Sequence, residues 1–268
     1  MYKLIAIDMD GTLLNSEKQI TEQNKQAITQ ARAQGVHVVL CSGRPLEGML
    51  SALDALGMNT DEDYVISYNG SLVQTVASGT MIRQQILTGK DAKTIDEWSK
   101  RLNVDVHAFS LKEGLISPKN NKYTQHECDI NDITLTEMPF EQLDDADPIL
   151  KVMMVEDEEK LTPAFNALPE ELFKQFTIVR SSPFFLEFMH PTSDKGAGVE
   201  ALAEHLGINA SEVIALGDAG NDHHMLEYAG LGIAMGNATE DTKALADFVT
   251  ESNDNSGVAV AIEKFVLN

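Results

Sequence analysis

Cysteine is nearly absent from this chain. In 268 residues only Cys41 and Cys128 occur, far apart and without metal-ligand spacing, which excludes a disulfide framework and a zinc site and leaves two reduced thiols. Positive charge is scarce as well: 20 Lys and Arg against 42 Asp and Glu give a formal net charge of -22. Such a surface repels nucleic acid and anionic lipid and attracts divalent cations. No apolar run approaches membrane-spanning length, and the stretch Met1 to Ile7 is too short for a signal-peptide core. A cytoplasmic protein with neither a nucleic-acid nor a membrane partner is expected. No Gly/Ser-rich linker, repeat or low-complexity tract interrupts the chain, and no heptad pattern marks an interface, which leaves monomer and homodimer both open.

What is present begins at residue 5. Ile5-Ala6-Ile7-Asp8-Met9-Asp10-Gly11-Thr12 is a short apolar strand running into two aspartates one residue apart. Side chains of a strand alternate, so Asp8 and Asp10 leave the same face, and Gly11 lets the backbone turn away at once. Two same-facing carboxylates at the end of a buried strand point to a metal and a nucleophile. Taken alone, Asp-Gly more often marks only a turn. An EF-hand loop is excluded, because Gly11 comes two positions early and no ligand ladder ends in Glu.

The first segment alternates strand and helix. Leu4 to Ile7 reads as a strand, Thr21 as the cap of a helix running to Gly35, and Val36 to Leu40 as a second strand. Pro45 opens a helix with apolar positions Leu46, Met49, Leu50, Leu53 and Leu56, stopped by Gly57, and Tyr64 to Tyr68 is a third strand. The last segment resumes the rhythm with a helix from Lys195 to Leu206, strands at Val213 to Leu216 and Gly232 to Met235, and a closing helix from Val258 to Val266. This pattern predicts an α/β fold with one Rossmann-like, three-layer parallel sheet made from both ends of the chain, residues 1–83 and 190–268. The middle, residues 84–189, reads as a separate α+β unit inserted between the two halves of the sheet. Its helices are expected near Ile95 to Leu102 and Leu161 to Phe173, and its strands at Val104 to Phe109, Leu150 to Val155, Thr177 to Val179 and Phe184 to Phe188.

A second chemical string, Leu216-Gly217-Asp218-Ala219-Gly220-Asn221-Asp222, also ends an apolar strand. Carboxyl ends of parallel strands gather on one edge, so Asp218 can meet Asp8 and Asp10. Hard oxygen donors of this kind suit Mg²⁺. Ser42 and Gly43 end the second strand, where a hydroxyl and backbone amides can cradle a phosphoryl oxygen, although a Ser-Gly turn is the commoner meaning of the pair. Lys195 opens a helix, which directs a cation and a positive helix end at an anion; a solvated surface lysine is the plainer alternative. His223 and His224 are adjacent, do not face one another on a helix, and make no metal site.

In order and context, Asp8-Met9-Asp10-Gly11-Thr12, Ser42, Lys195 and Gly217-Asp218 with Asn221-Asp222 closely resemble the four motifs of haloacid-dehalogenase-like (HAD) phosphatases. The middle segment falls where Cof-type members of that superfamily carry an α/β cap. Tyr68-Asn69-Gly70, Leu150-Lys151-Val152-Met153-Met154 and the carboxyl-terminal Ala261 to Asn268 are similar to bacterial sugar phosphatases of that type. The resemblance implies a Mg²⁺-dependent phosphatase of small sugar or polyol phosphates. Asp8 is then the nucleophile that forms an aspartyl-phosphate, and Asp10 the acid and base, with a pKa above that of free aspartate. It implies Mg²⁺ held by Asp8, Asp218 and the Asp10 main-chain carbonyl, oriented by Asn221 and Asp222. Ser42, Gly43 and Lys195 would bind phosphate, joined by Arg44 and Asn69 from the core side. Arg180, Ser181 and His126 are the cap side chains expected to read the substrate.

Two other classes share these residue types. A receiver-like signalling protein also surrounds a phosphorylated Asp with acids, a Ser or Thr and a Lys, but Asp10 and the cap argue against it. A sugar phosphomutase or phosphotransferase passes the same phosphoryl group to a second hydroxyl, and the sequence leaves that alternative open.

Overall fold

Every residue of β1 (Leu4–Asp8) is buried, as a central strand covered on both faces requires. In the computed structural model, which describes residues 1–268, it is followed by α1 (Glu22–Ala33), β2 (His37–Cys41), α2 (Leu50–Ala55) and β3 (Tyr64–Ser67). The hairpin strands β4 (Leu72–Thr75) and β5 (Met81–Gln84) complete this stretch. The next elements are β6 (Leu87–Thr88), α3 (Gly89–Leu102), β7 (Asp105–Ser110), β8 (Gly114–Ser117), α4 (Lys122–Asn131), β9 (Leu135–Glu137) and β10 (Pro148–Val155). Then come α5 (Glu158–Asn166), α6 (Glu170–Gln175), β11 (Thr177–Ser182) and β12 (Phe185–Met189). The chain closes with α7 (Lys195–Leu206), β13 (Val213–Gly217), α8 (His223–Tyr228), β14 (Leu231–Ala234), α9 (Glu240–Leu245), β15 (Phe248–Val249) and α10 (Gly257–Ile262). Two compact units result, Met1–Gln84 with Asp194–Asn268, and Gln85–Ser193.

The first unit has one sheet in the order β15-β14-β13-β1-β2-β3-β4-β5, parallel from β15 to β3. Alternation assigns Ile5 and Ile7 to one face, against Ile28, Ala31, Val258 and Ile262 of α1 and α10. Leu4 and Ala6 take the other, against Val199, Leu202 and Met225 of α7 and α8. These are the three layers expected. The register that positions the site is Ile7 beside Leu216 and Asp8 beside Cys41: the residues that follow β1, β2 and β13 leave the sheet at one edge.

Several local expectations shift. The antiparallel hairpin β4–β5 extends the parallel sheet; Gln74, Thr75, Arg83 and Gln84 break its apolar pattern and hide it from periodicity. The Pro45 segment begins with a 3₁₀ turn, Glu47–Met49, before α2. The helix expected over Leu161 to Phe173 is two helices, because Pro169 restrains Leu168 away from helical geometry and has no N–H to donate. The elements β8, α4 and β9 lie outside the expected set; α4 is a polar helix started by Asn121, whose Oδ1 accepts from the amides of Tyr123 and Thr124 at 2.9 Å each. The closing helix α10 stops at Ile262 and widens over Glu263–Leu267.

In the second unit the main sheet path is β11-β12-β10-β7-β8-β9, with β6 paired to β10. One face, with Val106, Ala108, Val152, Met154, Leu186 and Phe188, packs on Ile95 and Leu161. The opposite face carries His107, Phe109, Lys151, Met153, Phe185 and Glu187, all buried. Lys151 Nζ meets Glu187 Oε2 at 3.3 Å and lies 5.1 Å from the centre of the Phe109 ring. His107 lies between Thr124 Oγ1 at 3.1 Å and Met153 Sδ at 3.2 Å.

Burial, with Lys151 nearby, lowers the His107 pKa to about 3. The unfolded chain therefore binds a proton at this position first, and stability falls as pH drops below the ordinary histidine value. Between pH 6.5 and 5 this loss is about 2 kcal/mol. His107→Gln is expected to flatten the acid limb of a thermal-melting profile over that range; a profile that stays parallel to wild type would assign the acid sensitivity elsewhere.

Candidate active site

Asp8 ends β1, and the next residues turn sharply over the end of β13. Gly11 has φ +89°, and a Cβ there would lie 2.4 Å from Asp218 Oδ2, so only glycine lets the loop approach that carboxylate. Thr12 Oγ1 donates to Asp218 Oδ1 at 3.1 Å, and Asn237 Nδ2 donates to the Gly11 carbonyl at 2.8 Å. These two side chains tie the loops after β1, β13 and β14 together. Thr12 sits inside the first motif without an assigned role, and Asn237 has no local signal, because its partner is 226 residues away.

Lys195 is not a surface lysine. It is the first residue of α7, whose amino end is capped by Asp194 accepting from the Ala197 amide at 2.8 Å, and its side chain is fully buried. Its Nζ donates to Asp8 Oδ1 at 2.5 Å and to Asp222 Oδ1 at 2.7 Å. Asp222 Oδ2 in turn accepts from the amides of Asp218 at 2.9 Å and Ala219 at 3.1 Å. Asp222 therefore has both oxygens engaged in holding Lys195 and the loop.

The Tyr68-Asn69-Gly70 segment explains how α7 is seated. All three residues have positive φ, and a Cβ on Gly70 would lie 2.0 Å from the Asp194 carbonyl oxygen. The Asn69 amide donates to the Ser42 carbonyl at 2.9 Å, and Asn221 Nδ2 donates to Asn69 Oδ1 at 3.3 Å. Ser42 is buried after β2, and its Oγ accepts from the Arg44 amide at 3.2 Å. One set of contacts links Ser42, Asn69 and Asn221 and another links Asp8, Lys195, Asp222 and Asp218, the two joined where Asn221 precedes Asp222 in the chain.

Arg44 contacts Asp10. Its Nε and Nη2 make a two-pronged contact to Asp10 at 2.8 and 2.7 Å, and Lys18 Nζ donates to Asp10 Oδ1 at 2.9 Å. Burial pushes the Asp10 pKa up, but the hydrogen bonds and charge of Arg44, then of Lys18, outweigh it, and the carboxyl lies below its ordinary range. The expectation of a raised Asp10 pKa is corrected: in this arrangement Asp10 is an ion-paired carboxylate. Sequence spacing offered no sign of Lys18, which reaches Asp10 from a left-handed loop position. His223 bonds Thr242 across 2.8 Å and takes no part in the acidic cluster. In the second unit Arg180 is held by Thr162 Oγ1 at 2.8 Å and by the Pro183 carbonyl at 2.5 Å, and His126 packs edge-on against Phe184.

Asp8 is pushed well above its ordinary pKa, first by burial and next by the Asp222 charge, against the pull of Lys195. Asp218 moves the same way through burial and Asp222. Burial opposes the charge on Lys195, yet Asp222 and Asp8 hold its pKa above the ordinary value. Burial also pushes the Cys41 thiol up, so this neighbour of Asp8 stays protonated. Oxygens of Asp8, Asp218 and Asp222 lie within 4.8 Å of one another. Three carboxyl groups share one ammonium, and the buried Asp8 Oδ2 has no hydrogen-bond partner. An all-oxygen donor set of this kind fits a divalent cation such as Mg²⁺, with Asp8 and Asp218 offering free lone pairs and Asp222 already engaged.

Removing the ammonium leaves Asp8 and Asp222 buried without their cation. Lys195→Met is expected to destabilise the protein by about 3 to 5 kcal/mol in urea unfolding at neutral pH, with a smaller loss at pH 5, where the carboxylates take up protons. An unchanged midpoint would show that the pair is solvated.

The haloacid dehalogenase-like hydrolase family model matches residues 5–262. The Bacillus subtilis protein named "Putative phosphatase YxeH" is 39% identical over 269 residues, covering 100% of this chain and 99% of its own. A second Bacillus subtilis protein, 5-amino-6-(5-phospho-D-ribitylamino)uracil phosphatase YcsE, is 31% identical over 99% of this chain and 96% of its own. The crystal structure of a haloacid dehalogenase-like hydrolase from Bacteroides thetaiotaomicron superposes with a TM-score of 0.88 at 34% identity, over 98% of this chain and 99% of that one. With the acidic cluster and its lysine built on a matching fold, the chain belongs to the haloacid dehalogenase-like hydrolases.

Proposed function

We propose that the chain is a Mg²⁺-dependent phosphatase that hydrolyses phosphate monoesters of small sugars or polyols through an aspartyl-phosphate on Asp8. The observation that carries this reading is the fully buried Lys195 ammonium bonded to Asp8 Oδ1, while Asp8 Oδ2 lies beside it without a partner. A nucleophilic carboxylate needs one oxygen fixed and one available.

Asp8 attacks phosphorus, an Asp8 oxygen to phosphorus bond forms, and the bond from phosphorus to the alcohol oxygen breaks. Asp10, in its protonated form, gives the leaving oxygen its proton. Water then attacks the aspartyl-phosphate and loses a proton to Asp10, releasing phosphate and restoring Asp8. Because Arg44 and Lys18 hold Asp10 as a carboxylate, the acid form requires those contacts to loosen when substrate binds. Lys195 and the Ser42-Gly43 turn hold phosphoryl oxygens, with Asn69 beside them. Asp8, Asp218 and the Asp10 main-chain carbonyl would hold Mg²⁺, and the ion, when bound, would neutralise charge on the phosphoryl group. Asn221 and Asp222 would keep that set oriented.

The unit Gln85–Ser193 is the proposed specificity element. Its sheet face of His107, Lys151 and Glu187 supplies fixed polar groups of the kind that recognise hydroxyls. Arg180 is already committed within its own unit and is a poorer candidate. The YcsE relative is named for a phosphorylated ribityl compound, which supports a polyol or sugar phosphate as the substrate class.

Phosphate release from a panel of sugar phosphates and p-nitrophenyl phosphate, with Mg²⁺ or EDTA, tests the proposal. Wild-type release is expected to require Mg²⁺, Asp8→Asn to abolish it, and Asp10→Asn to slow it by about 10² to 10⁴. Survival of activity in Asp8→Asn would overturn the mechanism, and phosphate appearing on an added sugar instead of in water would make the enzyme a phosphotransferase. Lys151→Met and Glu187→Gln are expected to raise KM for the preferred sugar phosphate while leaving p-nitrophenyl phosphate hydrolysis near wild type; parallel loss on both would remove the second unit from substrate selection.

A further inference from the structure

The first unit contains a cavity of about 340 Å³ whose lining includes Lys18 and Arg44, the two cations that hold Asp10. Its apolar wall is formed by Met9, Leu14 and Ile20, and its charged lining by Lys18, Lys25 and Arg44, with no acidic side chain among the lining residues. In a chain of net charge -22, three cations around one cavity oppose the general field. Lys18 and Arg44 share the single carboxylate of Asp10. Lys25, half-buried on α1, takes no part in those ion pairs. Two positive charges therefore remain uncompensated at the cavity.

The loop that presents Lys18 is fixed. Asn15 Oδ1 accepts from the amides of Glu17 at 3.0 Å and Gln19 at 2.9 Å, and Ser16 donates through its amide and its hydroxyl to Asp254 at 2.8 Å each. A volume of this size is at the lower end of small-molecule sites.

We propose that this cavity is a binding site for a small organic phosphate dianion, its phosphate held by Lys18, Lys25 and Arg44 and its carbon skeleton against Met9, Leu14 and Ile20. Charge selects the class. A phosphate monoester carries nearly two negative charges near neutral pH, matching the uncompensated pair, and its several acceptor oxygens can serve three donors at once. A monoanion leaves one charge unmatched, and inorganic phosphate leaves the apolar wall unused. The inference does not depend on the catalytic role of Asp8.

Isothermal titration calorimetry with phenylphosphonate, a non-hydrolysable probe with both a dianionic and an apolar end, tests the site in the full-length protein in EDTA at pH 8. Wild type is expected to bind it. Lys25→Glu is expected to weaken binding by at least about tenfold, and Lys25→Met by less. Ser42→Ala is expected to retain the binding that Lys25→Glu loses, and circular dichroism melts of the Lys25 variants to coincide with wild type. Wild-type affinity in Lys25→Glu, no binding to wild type, or loss of binding in Ser42→Ala alone would overturn the proposal; the last would place the probe at the phosphate anchor. Steady-state hydrolysis separates the two sources of ligand: non-hyperbolic kinetics at high substrate that Lys25→Glu abolishes identify the substrate itself, and hyperbolic kinetics with phenylphosphonate binding intact identify a separate organic phosphate.

Discussion

The bridge from Asp8 to Lys195 to Asp222 governs this molecule, because it places a full positive charge in a fully buried position between two carboxylates. A lone ammonium there would be costly to desolvate, and so would either carboxylate. Each is tolerable only with the others in place, and that mutual requirement binds three distant stretches of chain: the end of β1, the start of α7 and the loop after β13. The remaining local architecture serves this contact. Gly70 has no Cβ, so the Tyr68-Asn69-Gly70 turn can press against the Asp194 carbonyl and seat the amino end of α7. Gly11 allows the same closeness between the first loop and Asp218.

The cluster is electrostatically incomplete. Lys195 offsets one of three carboxylates, and burial together with Asp222 raises the proton affinity of Asp8. A site left so negative, with one buried oxygen unpartnered, stores an attraction for a divalent cation and for the groups that arrive with it. Asp10, one residue beyond Met9, experiences the opposite environment. Its carboxylate is claimed by Arg44 and Lys18, which lower its proton affinity. Two aspartates separated by a single residue are thus pushed in opposite directions by their neighbours.

The inserted unit follows a different logic. Its sheet has one apolar face packed on helices and another where His107, Lys151 and Glu187 are buried among aromatic and sulfur-bearing side chains. Buried polar groups on a strand cost stability unless paired, and these are paired within the sheet or with α4. Such a face concentrates fixed polar groups where a core ordinarily carries apolar ones.

The sequence alone determined the strands that lead into the acidic cluster and the edge on which they end. Apolar runs ending in Asp8, Ser42 and Asp218 are local signals, and the rule that parallel strands open on a common edge brings them together without coordinates. The cap of α1 at Thr21 and the glycine stops were legible for the same reason, since each depends on residues within one turn. The β4–β5 hairpin, the helix α4 and the break at Pro169 were missed or blurred, because polar residues interrupt their apolar periodicity and only pairing partners reveal them. Tertiary structure decided the partners of charge. Arg44, expected at phosphate, pairs with Asp10; Lys18 joins it from a loop with no motif; Thr12 and Asn237 tie loops across more than 200 residues of sequence. Ion pairs depend on distance and burial in three dimensions, which no spacing along the chain encodes.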